Sequence, residues 1–109
     1  RLVLDLNVNQ IGAAGARLLV QAVAARKGLS SLRFLASGNR IREVGARELA
    51  QAVAALKGLT SLELDVSGNG IGDVGACEIA RSLGSLSALE RLLLDLRGNV
   101  LGELGVREL

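Results

Sequence analysis

The sequence predicts an α/β solenoid, in which copies of one strand–turn–helix–turn unit stack and share a parallel sheet. Three observations predict it. Asn9, Asn39, Asn69 and Asn99 recur at intervals of 30 residues, a period typical of stacked structural units. Other positions lock to the same interval: Ile11, Ile41, Ile71 and Leu101; Gly15, Gly45, Gly75 and Gly105; Leu19, Leu49, Ile79 and Leu109. Finally, each unit carries both hydrophobic periods, first the alternation of a strand and then the spacing of a helix. A lone unit of this size cannot bury both its strand face and its helix stripe, whereas stacked copies can.

The strand comes first in each unit. Leu62, Leu64 and Val66 alternate with Glu63, Asp65 and Ser67, and the matching runs are Leu2-Leu4-Leu6, Leu32-Phe34-Ala36 and Leu92-Leu94-Leu96. This is the period of a strand with one buried face. The asparagine follows at a sharp turn. Its amide both donates and accepts, which suits it to satisfy backbone groups that a turn leaves unpaired, so Asn9, Asn39, Asn69 and Asn99 are expected to form an internal structural ladder. Ala76, Ile79, Ala80, Leu83 and Leu86 then follow helical spacing. Asp73 is expected to cap that helix, and Gly75 to allow close packing near its start. Gly28 and Gly58 are expected at helix ends.

Composition narrows the function. The chain of 109 residues has no His, Trp, Tyr, Met or Pro, and Phe34 is its only aromatic residue. Without His there is no Ser-His or Cys-His pair, no His metal ligand and no His proton shuttle. Without Trp or Tyr, stacking on bases is nearly impossible. The net charge of +2 is spread along the chain, unlike the clustered basic face of a nucleic-acid domain. No apolar stretch approaches the roughly 18 residues that span a bilayer. The expectations are no nucleic acid, no membrane insertion, no small-molecule substrate, no cofactor and no catalysis. Cys77 is the only cysteine, so no internal disulfide forms and an intracellular, cytoplasmic location is expected. Arg17, Arg47 and Arg107 hold the equivalent place, so Cys77 reads as a tolerated substitution.

The run Leu59-x-x-Leu62-x-Leu64, with Asn69, Ile71, Gly75, Ile79 and Leu83, resembles the leucine-rich repeat in its long-repeat form. That is the ribonuclease-inhibitor-like subfamily, found also in Ran GTPase-activating protein and NOD-like receptors. The resemblance implies a right-handed βα horseshoe segment, with the parallel sheet on the concave face and helices on the convex face. It covers residues 1–109 as a single array of about three 30-residue repeats with partial ends. The subfamily usually places Asn three residues after the last strand Leu. Val66 fills that place here, so each unit carries two additional residues in or beside the strand. The chain opens within a strand and stops within a helix, without the polar caps solenoids need, so a fragment of a longer array is expected.

Three lookalike sites are weighed against the repeat. Gly70-Ile71-Gly72-Asp73-Val74-Gly75 spells a dinucleotide-binding motif with Asp95 beyond it, but Gly72 and Gly75 are repeat positions and the wider doubly wound sheet is missing. Asp5, Asp65 and Asp95 share one repeat position and point outward from the strands, with no pocket for acid–base or cation chemistry. They read instead as an acidic spot for a partner. Arg40 and Arg42 lie on loops and read as solubilising residues, although loop arginines can assist phosphate chemistry.

The leading functional expectation is a non-catalytic protein–protein interaction module or scaffold. The expected contact residues are Val3, Asp5, Arg33, Leu35, Glu63, Asp65, Leu93, Asp95 and Arg97 on the strand face. Asn7, Ser37 and Ser67 share that outward register. The alternative is the leucine-rich-repeat part of a GTPase-activating protein or of a NOD-like receptor sensor. The helix-face charges Arg47, Glu48, Glu78, Arg107 and Glu108 are expected to be solvated.

Overall fold

The computed structural model describes residues 2–6, 12–26 and 28–99. Strand and helix alternate along the chain: β1 (Leu2–Asp5), α1 (Gly12–Ala24), β2 (Ser31–Leu35), α2 (Arg42–Ala54), β3 (Ser61–Asp65), α3 (Gly72–Gly84) and β4 (Arg91–Asp95). The strands form one parallel sheet in the order β1-β2-β3-β4. Every paired residue is offset by the repeat length: Leu2 lies beside Leu32, Leu32 beside Leu62, and Leu62 beside Leu92. Each helix packs on its neighbour, α1 on α2 and α2 on α3.

The core lies between sheet and helices. Leu32, Phe34, Ala36, Leu62, Leu64 and Val66 point into it and are buried. They meet Leu49, Val53, Ile79 and Leu83 from the helices. Leu56, Leu59 and Leu86 close it from the helix-to-strand connections. The alternation fades at β4, where Leu92 is 47 % exposed while Leu32 and Leu62 are each 2 % exposed. Leu92 has a strand on one side only among the described residues, so the same side chain in the same register loses half of its cover.

The ladder continues beyond the strands. Ala36 and Val66 donate their N–H groups to the carbonyls of Asp65 and Asp95, and Gly38 and Gly68 donate to Ser67 and Arg97. The sheet pairing therefore runs into the turn that carries the asparagine.

Gly75 sits where helix meets helix. A Cβ there would lie 2.5 Å from Ile71 Cγ2 and 2.9 Å from the Ala46 methyl of α2, so only glycine lets α3 approach this closely. The other glycine and cap expectations need correction. Asp73 does not cap α3: the cap position is Ile71, without a side-chain hydrogen bond, and Asp73 stands inside the first turn, where the helix dipole favours a negative charge. Gly28 and Gly58 do not end helices. The helices stop at Ala24 and Ala54, and the residue after α2, Ala55, keeps a right-handed conformation. Arg42 is not a loop residue; it opens α2.

Candidate interaction face

The turns fix the strand face from behind. Asn39, Asn69 and Asn99 are buried, and each ties its own turn to that of the preceding unit. The Asn69 Oδ1 accepts the backbone N–H of Asn39 at 2.8 Å and of Ile41 at 3.2 Å. Its Nδ2 donates to the carbonyls of Ala36, Val66 and Ser67 at 2.9, 2.9 and 3.0 Å. Asn99 repeats the pattern on Asn69, Ile71, Val66, Leu96 and Arg97. Asn39 donates to Leu6 and Ser37. Asn9 lies outside the described residues.

The asparagine also caps the preceding helix. Gly12, Arg42 and Gly72 open the three helices, and their N–H groups donate to the carbonyls of Asn39, Asn69 and Asn99. The first N–H groups of a helix lack partners within it. Here the next unit supplies them, which is why no side-chain cap is found at Ile41 or Ile71.

Rows of side chains run across the strands on the outward face. One row is Val3, Arg33, Glu63 and Leu93; the next is Asp5, Leu35, Asp65 and Asp95. Val3, Asp5, Arg33, Leu93 and Arg97 are exposed, whereas Leu35, Glu63, Asp65 and Asp95 are half-buried, as are Ser37 and Ser67. Asn7 lies outside the described residues. A shallow groove of about 430 Å³ runs between β3 and β4, lined by Glu63, Asp65, Leu93, Asp95 and Arg97 among others.

Two ion pairs lie on this face. Arg33 Nε lies 3.1 Å from Glu63 across the β2–β3 pair. Asp65 accepts the N–H and hydroxyl of Ser67 at 3.0 and 2.8 Å. Asp95 accepts the Arg97 backbone N–H at 3.1 Å, and its two oxygens take the guanidinium at 2.7 to 3.2 Å. The side-chain and backbone hydrogen bonds of Arg97 hold the Asp95 carboxyl below the usual carboxylate range. Asp95 in turn raises the Arg97 guanidinium. Asp65 and Asp95 also brace the turns after their strands. The sequence signal was present as acid–x–Ser and acid–x–Arg, a spacing at which an aspartate bonds its own backbone two residues on.

The glycine-rich stretch Gly70–Gly75 follows from backbone shape. Gly70 and Gly72 have φ of 63° and 73°, in the left-handed region, and Arg40 and Arg42 hold the same region at 55° and 64°. The turns after β2 and β3 both take this conformation at both positions, so the glycines answer a geometric need. Arg42 also lies over the next turn, with its Cδ 3.4 Å from where a Cβ of Gly70 would stand.

On the helix side, Arg47 is exposed, and Glu48 and Glu78 are half-buried. Glu78 lies 3.8 Å from Arg81. Arg107 and Glu108 lie outside the described residues. Cys77 is a free, buried thiol, unlike the exposed Arg17 and Arg47 at its repeat position. Among the described residues no group of three or more His, Cys, Asp or Glu is placed to hold a metal ion.

A family model described as Leucine Rich repeat matches residues 2–20 and 58–80. The architecture is a leucine-rich-repeat solenoid segment. The matched stretches run from β1 into α1 and from just before β3 into α3. The unit between them, with a strand of five residues and a helix of 13 as in the unit that follows, keeps the same register without being matched. Leucine-rich-repeat domains generally mediate protein–protein interaction. No curated protein and no solved structure gives a significant match.

Proposed function

We propose that this leucine-rich-repeat segment is a non-catalytic protein–protein interaction module that binds through its strand face. The observation that supports it is the sheet itself. Four strands in one register present Val3 and Leu93 to solvent, 46 % and 60 % exposed, beside charges already paired at 3.1 and 2.7 Å. Apolar side chains between balanced charges suit a protein surface of mixed character. Without Tyr or Trp anchors, this segment contributes modest affinity by itself. The period of 30 and helices of 13 residues favour the long-repeat, ribonuclease-inhibitor-like form. The single cysteine favours a cytoplasmic setting.

The test is capture of proteins from a lysate of the source cells on the immobilised chain. Asp65→Asn with Asp95→Asn removes charge from the strand face while keeping an acceptor for each turn, and should weaken capture. Glu48→Lys with Glu78→Lys alters the helix side and should leave capture unchanged. If the helix-side pair removes capture and the strand-side pair does not, the choice of face is wrong.

A further inference from the structure

The connections that follow α1 and α2 carry charge of one sign only. Residues 25–31 and 55–61 hold Arg26, Lys27 and Lys57 and no Asp or Glu. The chain has two lysines against eleven arginines, and the two lysines share one repeat position. Lys27 lies outside the described residues. Arg26 and Lys57 are exposed, and neither forms an ion pair among the described residues. These cations do not serve the helix ends. Neither α1 nor α2 has a basic residue in its last turn; Arg26 and Lys57 stand beyond the ends at Ala24 and Ala54, and the helix dipole acts within the last turn. A groove of about 380 Å³ runs between the two connections. Its lining includes both cations and the apolar Leu29, Ala55 and Leu56. Lys57 and Gly58 also line it, and their backbone N–H groups have no partner among the described residues. Neither β1 nor β4 contributes to this lining.

We propose that this groove docks an acidic segment of a partner protein, at a place separate from the strand face. Charge complementarity selects the occupant. A surface with cations and no acid draws carboxylates and holds them through charge-assisted hydrogen bonds. The strand face has the opposite bias, since Asp5, Glu63, Asp65 and Asp95 outnumber Arg33 and Arg97 there. An acidic segment is therefore steered to the connections and away from the strand face, because like charges disfavour the wrong contact. Its carboxylates reach the Arg26 guanidinium and the Lys57 ammonium, whose only hydrogen bond among the described residues is to the Ser85 hydroxyl at 3.4 Å. An apolar side chain between them covers Leu29 and Ala55, and the carbonyls of the segment take the N–H groups of Lys57 and Gly58. The apolar wall favours a peptide over a nucleic-acid strand, and the groove has no aromatic side chain on which a base could stack.

Fluorescence anisotropy of a labelled peptide rich in Glu and Leu, titrated with the whole chain at low salt, tests this directly. Binding should saturate, and should weaken as salt is added, because exposed charges are screened. A matched peptide with Gln in place of Glu should not bind. Arg26→Gln with Lys57→Gln should lower the affinity about tenfold, the loss of two exposed ion pairs. Arg17→Gln with Arg47→Gln removes the same charge from the helix faces and should leave the affinity unchanged, with circular dichroism confirming that both variants fold. Four outcomes overturn the proposal: a wild type that does not bind the Glu peptide, a Gln peptide that binds as tightly, equal losses in the two double variants, which reduce the effect to net charge, or an oligothymidylate that binds more tightly than the Glu peptide. The wild-type titrations decide the matter even if a variant fails to fold.

Discussion

The turn after β2 and the turn after β3 have the same shape and different sequences. Asn39-Arg40-Ile41-Arg42 and Asn69-Gly70-Ile71-Gly72 place their second and fourth residues in the left-handed region, at 55° and 64° in one and 63° and 73° in the other. Both isoleucines are fully buried, and both helices take their first N–H bonds from the following unit's asparagine. The stretch around the second turn matches the family model and the stretch around the first does not. The comparison teaches that the turn conformation is imposed by its hydrogen bonds and buried anchors. Glycine makes it easy; arginine adopts it at a cost of about 1–2 kcal/mol per residue, which the asparagine bridge and the isoleucine offset.

The most severe way to break the comparison is to remove the bridge. Asn69→Ala leaves the buried N–H groups of Asn39 and Ile41 without their acceptor and takes one donor from each of three carbonyls, of which Val66 and Ser67 keep another from Asn99 and Gly38. We expect a loss of about 3 kcal/mol, the upper end of the penalty for unsatisfied buried groups, read from urea unfolding. A loss below about 0.5 kcal/mol, typical of a neutral surface change, would show that the side chain does not hold the turns together.

Moving the arginine pattern into the glycine turn is the next largest change. Gly72→Arg keeps the backbone shape and meets open space at its Cβ, so its cost should be conformational alone, about 1 kcal/mol. Gly70→Arg should cost more, because its Cβ would stand 3.4 Å from Arg42 Cδ. Equal losses at the two positions would mean that Arg42 moves aside freely. The reverse exchange sharpens the point: Arg42→Gly should raise stability by about 0.5 kcal/mol, since relief of the left-handed strain exceeds the added entropy of the unfolded chain. A decrease in the melting temperature would assign Arg42 a packing role that outweighs its strain.

The smallest effect lies one unit further on, where the brace after β4 is an ion pair instead of the serine bonds found after β3. Asp95 titrates below the usual carboxylate range because of Arg97. A folded-state value lowered in this way adds stability that is present above the unfolded carboxyl range and is lost as the pH falls through the folded value. Arg97 is 88 % accessible, so the gain is slight and screened by salt. Carboxyl titration by NMR should show the Asp95 midpoint rising toward the ordinary range in Arg97→Ala. An unchanged midpoint would remove Arg97 as the cause.

Much of this was legible in the residues. The alternation of Leu62, Leu64 and Val66 named the buried face, because successive strand side chains point to opposite sides. The interval of 30 between asparagines fixed the strand register, because identical units stacked in parallel can only pair equivalent residues. The place of Gly75 marked a close approach. Leu92 takes the register its sequence position predicts, beside Leu62, while its exposure depends on a neighbouring strand.

What the tertiary structure alone decided concerns groups that meet across units. The residues named Asp73 as the cap of α3, since an aspartate near a helix start satisfies free N–H groups; the fold gives that task to Asn99, 28 residues beyond Ile71. The row of acids was legible in the residues, but the bonds that tie Asp65 to Ser67 and Asp95 to Arg97 come from the folded turns. The physical reason is the same in each case. A repeat period determines which positions are equivalent, because periodicity is a property of the chain; which donor finds which acceptor depends on distances between neighbouring units, and these exist only once the units have stacked.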